Sequence, residues 1–270
     1  NKKLSKKYLA FKNNWTIEAV VFILSTLNFN MSIKGGNCKM SKITRKILFA
    51  ATLLVVQTSF GQAVFQSFDL VVSDPAAVVA AMDKYQASPT GQSNTSIAIL
   101  YQYVAAGDNM ATHVVNIVHS SPEEMDANLE RNQGSSDQAA FFAEVSQAAT
   151  VTRRWMGQIL LTGGSVDNLT NPNPAAMAYF MSVSDPAAYA QAFSNFIGQN
   201  EDVGQSFLSS IMADGEDPAT HVVLNYGNSL GELVMNQPQA LDGWSDYASA
   251  VQDLRTVEAT AVLNVVKRWD

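Results

Sequence analysis

Apolar runs of strand length recur along residues 64–270, separated by polar turns and by segments of helical length. Runs of this kind, bounded by Gly, Asn, Asp, Ser and Pro, are typical of strands with a buried face. In the first half they predict strands at 65–72, at 96–104, from Thr-His-Val-Val at 112–115 onward, and at 150–158. In the second half they predict strands at 177–183, at 206–213, from 220–223 onward, and at 261–269.

Helix start signals predict two helices in each half. Asp74 and Asp185 each precede a proline, so that the carboxylate can cap the first free amides and proline fits the first turn. Ser-Pro-Glu-Glu at 121–124 and Ser-Leu-Gly-Glu at 229–232 have the spacing of capping boxes, and each predicts a second helix. Polar loops are expected between the first helix and the second strand, at 88–94 and 198–204.

Three short segments recur in the same order in the two halves. Val-Ser-Asp-Pro-Ala-Ala occurs at 72–77 and 183–188, and Ala-Thr-His-Val-Val occurs at 111–115 and 219–223. Arg-Arg-Trp at 153–155 has Lys-Arg-Trp at 267–269 as its apparent partner. The separations are 111, 108 and 114 residues, so that only loop lengths differ. This order indicates a tandem duplication.

Each half has the element order β-α-β-β-α-β. This order is typical of the ferredoxin-like arrangement, a four-stranded antiparallel sheet with both helices on one face. The other sheet face needs a cover, which the second half can supply. The segment 161–174 is rich in Gly, Asn and Pro and predicts a linker. The expected fold class is therefore α+β, with one repeat at 64–160, a second at 175–270, and their sheets meeting face to face.

The repeated order resembles that of the dimeric α+β barrel superfamily, in a tandem form in which one chain makes the pseudo-dimer. The resemblance covers nearly all of residues 64–270 and depends on element order rather than on a motif of one family. It implies a cofactor-independent oxygenase or a haem-using enzyme as one class of function. Haem-using relatives tend to carry the ligand histidine on a helix, whereas the histidines here fall on strands, which argues against haem.

Residues 40–63 have the three-part pattern of a secretory signal peptide. A basic start and an apolar run at 47–56 are followed by a small-residue exit, with Lys42, Arg45, Lys46, Gly61 and Ala63 as the marking residues. The apolar run is short for a membrane span. The pattern predicts cleavage after Gly61 or Ala63 and an exported protein, periplasmic or extracellular, with no membrane contact after cleavage. An uncleaved anchor is the alternative.

Charge and cysteine content separate the N-terminal part from the rest. Residues 1–39 begin with Asn, are rich in Lys and Asn, and are interpreted as upstream, non-native sequence. Residues 64–270 hold seven Lys and Arg against 23 Asp and Glu, a formal charge of −16. Such acidity argues against a nucleic-acid partner. The single cysteine, Cys38, precedes the predicted cleavage site, so that no disulfide or thiolate site is expected after it.

His113 and His221 occupy matching positions at the start of the third strands, and they are the first candidates for a ligand site. Two imidazoles alone are a weak signal for a metal or for acid–base chemistry. The alternative is that each ring forms local hydrogen bonds at its turn as a structural residue. No metal site is predicted.

Basic residues beside tryptophan supply the other candidates for ligand binding: Arg153, Arg154, Trp155, Lys267, Arg268 and Trp269. A cation beside an indole near a barrel mouth could bind an anionic or aromatic ligand. The alternative is that the cations pair with acids of the adjacent helices. No phosphate loop, nucleophile elbow or zinc helix accompanies them.

Two classes of function follow. The first is an exported protein that binds a small ligand or a partner through the cavity between the repeats or at a sheet edge, with no cofactor. The second is the oxygenase-like or haem-using enzyme that the resemblance implies. The first needs no catalytic group, and the sequence leaves the oligomeric state open.

Overall fold

Eight strands form the frame of the protein. The structure is a computed structural model that describes residues 63–215 and 217–270. The interpretations of 1–39 and, apart from Ala63, of 40–63 lie outside these residues. The strands are β1 Val64–Val72, β2 Ile97–Ala105, β3 His113–His119, β4 Ala149–Gly163, β5 Ala175–Val183, β6 Ser206–Ala213, β7 His221–Gly227 and β8 Arg255–Trp269.

Seven α-helices connect the strands in the described part of the chain. They are α1 Pro75–Gln86, α2 Pro89–Ser93, α3 Pro122–Asn132, α4 Ser136–Ala148, α5 Pro186–Ile197, α6 Leu230–Met235 and α7 Trp244–Val251, with 3₁₀ turns at Val166–Asn168 and Pro238–Ala240. None of the described helices is both long and apolar enough to cross a membrane.

The strands close into one antiparallel barrel. Their order around it is β1-β3-β2-β8-β5-β7-β6-β4, and β4 pairs with β1 to complete the ring. Strands of the first half meet those of the second at two seams, β2 with β8 and β4 with β6. The fold is therefore a mixed α+β fold built on an eight-stranded antiparallel sheet. Closure leaves no free sheet edge, and an eight-stranded barrel is just wide enough for packed side chains or one small ligand.

The seam with β6 explains why β4 extends beyond the predicted strand, whereas β8 begins earlier than predicted because its first residues pair with β5 of the same half. Each has 15 residues. The first part of β4 pairs with β1 and its last part, from Met156, pairs with β6. Likewise β8 pairs with β5 from Arg255 and with β2 from Val262. Because β4 continues to Gly163, the predicted linker at 161–174 begins within a strand, and this boundary is corrected.

Helices cover the outer face of the barrel. The first predicted helices begin as expected, because Asp74 and Asp185 each accept a hydrogen bond from the amide three residues on, both at 3.0 Å. Ser121 and Ser229 cap α3 and α6 in the same way. The second helical segment of each half is divided, into α3 and α4 and into α6 and α7. The loop predicted at 88–94 contains the short helix α2, which Ser88 caps.

His119 is a buried polar residue in the helix layer of the first half. It lies on the same face of β3 as Val115 and Ile117, and it is 1% exposed. Neither ring nitrogen has a hydrogen-bond partner among the described residues. Burial lowers the pKa of His119; Glu124 acts to raise it and Arg131 to lower it further. The ring is therefore neutral at pH 7, and it leaves an unsatisfied donor and acceptor in the fold.

We expect His119→Leu to raise the free energy of unfolding by about 1 kcal/mol at pH 7, because an unsatisfied buried polar group costs on the order of 1–3 kcal/mol. Since the pKa of His119 is lower in the folded than in the unfolded chain, wild-type stability should be highest above the unfolded value, about 6.5, and fall as the pH decreases through it. Urea unfolding at pH 7.5 and pH 5 measures both effects. His119→Leu should reduce this acid sensitivity.

The matched control for this experiment is His113→Gln, since His113 has a hydrogen-bond partner and a pKa that burial also lowers. His113→Gln should lose stability at pH 7. Equal behaviour of the two variants, or a loss of stability in His119→Leu, would contradict the assignment of His119 as an unsatisfied group.

Candidate functional site

A cavity of about 310 Å³ lies inside the barrel. Residues that alternate along the strands of both halves line it. The apolar part of the lining is Phe65, Ile97, Ile99, Val114, Val118, Trp155, Ile159, Val166, Ala178, Phe180, Phe207, Val222, Leu224 and Leu263. The polar part is Tyr101, Tyr103, Asn116, Gln205, Ser209, Tyr226 and Arg268.

The barrel interior contains large aromatic side chains of the first half and both small and aromatic side chains of the second. Phe65 and Trp155 pack edge to face inside the barrel, with ring centroids 5.3 Å apart. The Phe65 ring lies directly over Gly157, where an added Cβ would come within 2.7 Å of it. In the second half the inward residues of β5 include Ala176 and Ala178, and Phe180 of the same strand contacts Trp155 with ring centroids 5.8 Å apart.

A chain of hydrogen bonds runs along one wall of this cavity. Ser67 donates to Asn116 Oδ1 at 2.7 Å, which leaves the Asn116 amide group to donate to Tyr101. The Tyr101 and Tyr226 hydroxyls are hydrogen-bonded to each other. Burial raises the pKa of Tyr226 to about 12 and raises that of Tyr101 well above its usual value. Both phenols are therefore neutral, and either hydroxyl can donate the hydrogen bond between them.

A second polar group adjoins the cavity through Tyr103. Its hydroxyl donates to Asp69 Oδ1 at 2.8 Å, and Asp69 is 1% exposed. Burial raises the pKa of Asp69, although the Tyr103 hydrogen bond and the Arg153 charge act to lower it. Arg153 binds Asp214 and Asp217, which belong to the second half. The cluster thus links the halves and holds a carboxylate one hydrogen bond from the cavity.

His113 and His221 do not line the cavity. Their neighbours Val114 and Val222 point inward, so the two rings lie on the outer face of the barrel, each 4% exposed. The Nδ1 atom of His113 is 2.9 Å from Thr112 Oγ1, and that of His221 is 2.8 Å from Thr220 Oγ1. Burial lowers the pKa of both rings. Their contacts are the local hydrogen bonds of the structural alternative, made to threonine side chains.

The two threonines show what these contacts do. Thr112 Oγ1 accepts from the Val72 amide at 2.9 Å, and Thr220 Oγ1 accepts from the Val183 amide at 3.0 Å. Each His–Thr pair therefore joins the start of one strand to the end of its neighbour. This strand connection explains why His113 and His221 occupy matching positions. Their role in ligand binding stays a prediction, since neither ring lines one of the cavities described.

The two basic-tryptophan segments are not equivalent in the structure, which corrects the sequence alignment. Ser67 in β1 pairs with Trp155, whereas the residue 111 positions later, Ala178 in β5, pairs with Ala261. Trp269 is therefore not the counterpart of Trp155. The alignment failed because a three-residue match carries no information on strand register.

The six candidates from these segments lie in different places. Trp155 lines the cavity, and Arg268 lines it at a half-exposed position, where Nε donates to Asp270 at 2.7 Å. Trp269 faces outward and donates to Asp83 of α1 at 2.8 Å, and Lys267 pairs with the same carboxylate at 2.7 Å. Arg153 pairs with Asp214 and Asp217, and Arg154 is exposed.

Sequence reasoning missed the polar groups of the cavity wall: Asp69, Tyr101, Tyr103, Asn116 and Tyr226. A signal was present in the alternation along β2, where Tyr101 and Tyr103 fall on the same face as Ile97 and Ile99. The partners of these residues come from other strands, and their contacts follow from the register of the barrel.

Two further cavities lie outside the barrel, between the sheet and the helices. One, of about 250 Å³, is in the first half and is lined by residues such as Phe68, Tyr85 and Phe141. The other, of about 190 Å³, is in the second half and includes Tyr179, Tyr247 and Arg255. Within the described residues no group of three or more His, Cys, Asp or Glu side chains is arranged to hold a metal ion.

Comparison with known proteins gives structural likeness only. No protein-family model matches the sequence, and no match was found among curated proteins. A proposed monooxygenase from Fusobacterium nucleatum subsp. nucleatum is 12% identical, with a TM-score of 0.53 over 79% of this chain and 95% of that one.

Two other solved structures align less closely. A proposed monooxygenase from Lactobacillus acidophilus is 12% identical, with a TM-score of 0.49 over 77% of this chain and 94% of that one. A chlorite dismutase variant from Candidatus Nitrospira defluvii is 9% identical, with a TM-score of 0.43 over 80% and 94%. At these identities the likeness concerns the fold. The closed antiparallel barrel with its outer helices, together with the likeness to the Fusobacterium nucleatum structure, shows that this chain has the dimeric α+β barrel fold.

Proposed function

We propose that the protein binds a small aromatic molecule with one hydrogen-bond acceptor inside the barrel. The observation that carries this proposal is the 310 Å³ cavity, whose lining is apolar except for a few polar groups and comes from both halves. Ligand sites are typically apolar cavities of about 300 Å³ or more in which a few polar groups fix the orientation.

Aromatic rings favour an aromatic ligand. Trp155 contacts Phe65 at 5.3 Å and Phe180 at 5.8 Å between ring centroids, both edge to face. Phe207 and Tyr226 pack in the same manner at 6.0 Å. Rings arranged in this way offer edges and faces to a further ring, with each pair contributing about 0.5–1.5 kcal/mol beyond the area it buries.

The hydrogen-bond chain favours an acceptor on the ligand. Asn116 donates to Tyr101, and Tyr101 can donate to Tyr226, so that the Tyr226 hydrogen remains for a carbonyl or phenol oxygen in the cavity. In an apolar cavity such a bond orients the ligand more than it strengthens binding. Arg268, 45% exposed at its side chain, adds positive charge to the lining.

Isothermal titration calorimetry with 2-tetralone, a bicyclic aromatic ketone, tests this proposal. Ala178→Phe should abolish binding because it fills the cavity. Tyr226→Phe should weaken binding about three- to tenfold, since it removes one hydrogen bond worth about 0.5–1.5 kcal/mol.

Two control variants complete this experiment. Ala140→Phe changes an exposed helix position, and Tyr85→Phe removes a hydroxyl that bonds to Asn132 outside the barrel. Both should bind 2-tetralone like the wild type. Unchanged binding by Ala178→Phe would show that the ketone does not occupy the barrel.

The Tyr103–Asp69 pair favours an enzyme as the second candidate function. A carboxylate with a raised pKa can accept a proton relayed through the Tyr103 hydroxyl from an acidic C–H of the ligand. The C–H proton passes to the phenol oxygen, the phenol proton passes to Asp69, and the electron pair stays on the ligand as an enolate. Such an electron-rich ligand is what a cofactor-independent oxygenase would present to O₂.

Exchange of the acidic protons of 2-tetralone for deuterium, followed by NMR in D₂O, measures this proton transfer. We expect the protein to accelerate exchange and Tyr103→Phe to slow it at least about tenfold with little change in affinity. The rate should fall at low pH, and at a higher pH than for an ordinary Asp, because the pKa of Asp69 is raised. The exposed Asp126→Asn variant should exchange like the wild type. Equal exchange rates with and without the protein would contradict the enzyme function and leave ligand binding as the only proposal.

A haem-using enzyme does not fit the described residues. None of the three described histidines lines any of the three cavities. Two of them are held at strand ends by threonine, and the third, His119, is 1% exposed beneath α3. No imidazole is therefore placed to coordinate an iron in these spaces.

We further infer that the two halves are copies of one unit that pack as a pseudo-dimer. Support comes from strand order, which is β4-β1-β3-β2 in the first half and β8-β5-β7-β6 in the second. Registers agree as well, since Leu70 pairs with His113 as Met181 pairs with His221. In a pseudo-dimer the barrel interior corresponds to the interface between the two copies. Sequence divergence between the copies can therefore open a cavity there.

We also propose export, because residues 40–63 have the signal-peptide pattern and residues 64–270 carry no cysteine. Intact-mass measurement of the protein recovered outside the cytoplasm should correspond to a first residue at Gln62 or Val64. A mature form that retains residues 47–56 would contradict cleavage. Replacing Leu53 and Leu54 by Arg is the matched test, since charge in the apolar run should block export and leave the precursor mass.

A further inference from the structure

The cavity between the sheet and the helices of the second half is an aromatic pocket. It has a volume of about 190 Å³ and lies outside the barrel, beneath α5 and α7. Its principal rings are Tyr179, Phe193, Phe196, Trp244 and Tyr247. Phe196 stacks on Tyr247 with ring centroids 4.6 Å apart and an interplanar angle of 15°. The stacked arrangement leaves ring surface facing the pocket.

Arg255 is the cation of this pocket. Its Nη1 atom donates to the Tyr189 hydroxyl at 3.1 Å and to the Tyr247 hydroxyl at 3.2 Å. The guanidinium carbon also lies 5.8 Å and 5.3 Å from the centroids of these two rings. The tyrosine hydroxyls bond to each other at 2.8 Å. One edge of the guanidinium is thus fixed by neutral groups, with Nη1 also 3.4 Å from the Met181 thioether sulfur. Among the described residues Nε and Nη2 of Arg255 have no hydrogen-bond acceptor.

No carboxylate compensates this charge. Among the described residues Arg255 forms no ion pair, whereas Arg131, Arg153 and Lys267 each have an acidic partner. Two acids of the second half have other partners: Glu232, which also lines this pocket, accepts from Asn228, and Glu258 accepts from Ser182. In a segment with 23 acidic residues and seven basic ones, a partly buried arginine without an acidic partner is a costly exception.

The fold does not require an arginine at this position. Arg255 pairs with Val183 in the register of β5 and β8. In the first half Val72, the counterpart of Val183, pairs with Ala149. The same place in the other sheet is therefore occupied by alanine, and the arginine is specific to the pocket of the second half.

We propose that this pocket binds an aromatic carboxylate, with Arg255 pairing with the carboxylate group and the rings of α5 and α7 contacting the aromatic part. Arginine forms two parallel hydrogen bonds to a carboxylate, and its orientation on Tyr189 and Tyr247 reduces the entropy lost on binding. The site differs from the barrel cavity in its cation and its helix-side rings, which do not line that cavity, although Tyr226 lines both.

Calorimetric titration of the purified protein with 2-naphthoate, and with the neutral 2-naphthylmethanol, tests the proposal. We expect 2-naphthoate to bind at least about tenfold more tightly than the alcohol, because a hydrogen bond to a charged group contributes about 1.5–3 kcal/mol. Arg255→Met should reduce 2-naphthoate affinity about tenfold or more and leave the affinity for the alcohol unchanged. Arg154→Met, at an exposed arginine of β4, is the matched control and should bind like the wild type.

Two further measurements make the outcome decisive. Ala178→Phe, which fills the barrel cavity, should retain 2-naphthoate binding, and its loss there would place the carboxylate in the barrel and overturn this proposal. If Arg255→Met does not fold, the comparison of acid with alcohol on the wild type decides alone. Equal affinity for the two compounds, or undiminished 2-naphthoate binding by a folded Arg255→Met, would also overturn it.

Discussion

Pairing of β2 with β8 and of β4 with β6 is the constraint on which the rest of the structure depends. Each half by itself would be an open sheet with two free edges, and edges of this kind pair with other chains. The two 15-residue strands extend beyond their own sheet and supply the partner for the other. Because the ring closes, the helices are confined to the outside, and the strand faces that point inward can meet only one another.

Differences between the halves then determine what the interior can do. At inward positions the first half has Phe65 and Trp155, and the second half has alanine at the corresponding positions. The side chains of the two halves therefore differ in size, and they fill only part of the barrel interior. Polar groups are also unequal: Asp69 lies opposite Arg153, whereas the residue matching Asp69 in β5 is Phe180. The interior therefore has a cavity with a hydrogen-bond chain along one wall.

Local signals allowed much of the fold to be predicted from the sequence. The Ser-Asp-Pro and Ser-x-x-Glu segments identify helix starts through contacts within a few residues, and the structure has these caps. The end of β4 could not be predicted in the same way, since its last residues form a strand only because β6 of the other half pairs with them. The site was predicted less well because its contacts are not local. His113 bonds to the adjacent Thr112, whereas Tyr101 and Tyr226 are in contact although 125 positions separate them in the sequence.

The β2–β8 seam has a consequence for how the chain acquires its structure. Ala98 in β2 pairs with Trp269 in β8, 171 positions later, so the ring cannot close until β8 has been synthesised. Contacts between such distant positions form slowly, because a long loop must be ordered before they contribute any stability. During synthesis the edge of the first sheet at β2 would stay unpaired until β8 is made, and this edge could associate with other nascent chains. Loss of the part of β8 that pairs with β2 should therefore affect folding yield far more than its small share of the buried surface suggests.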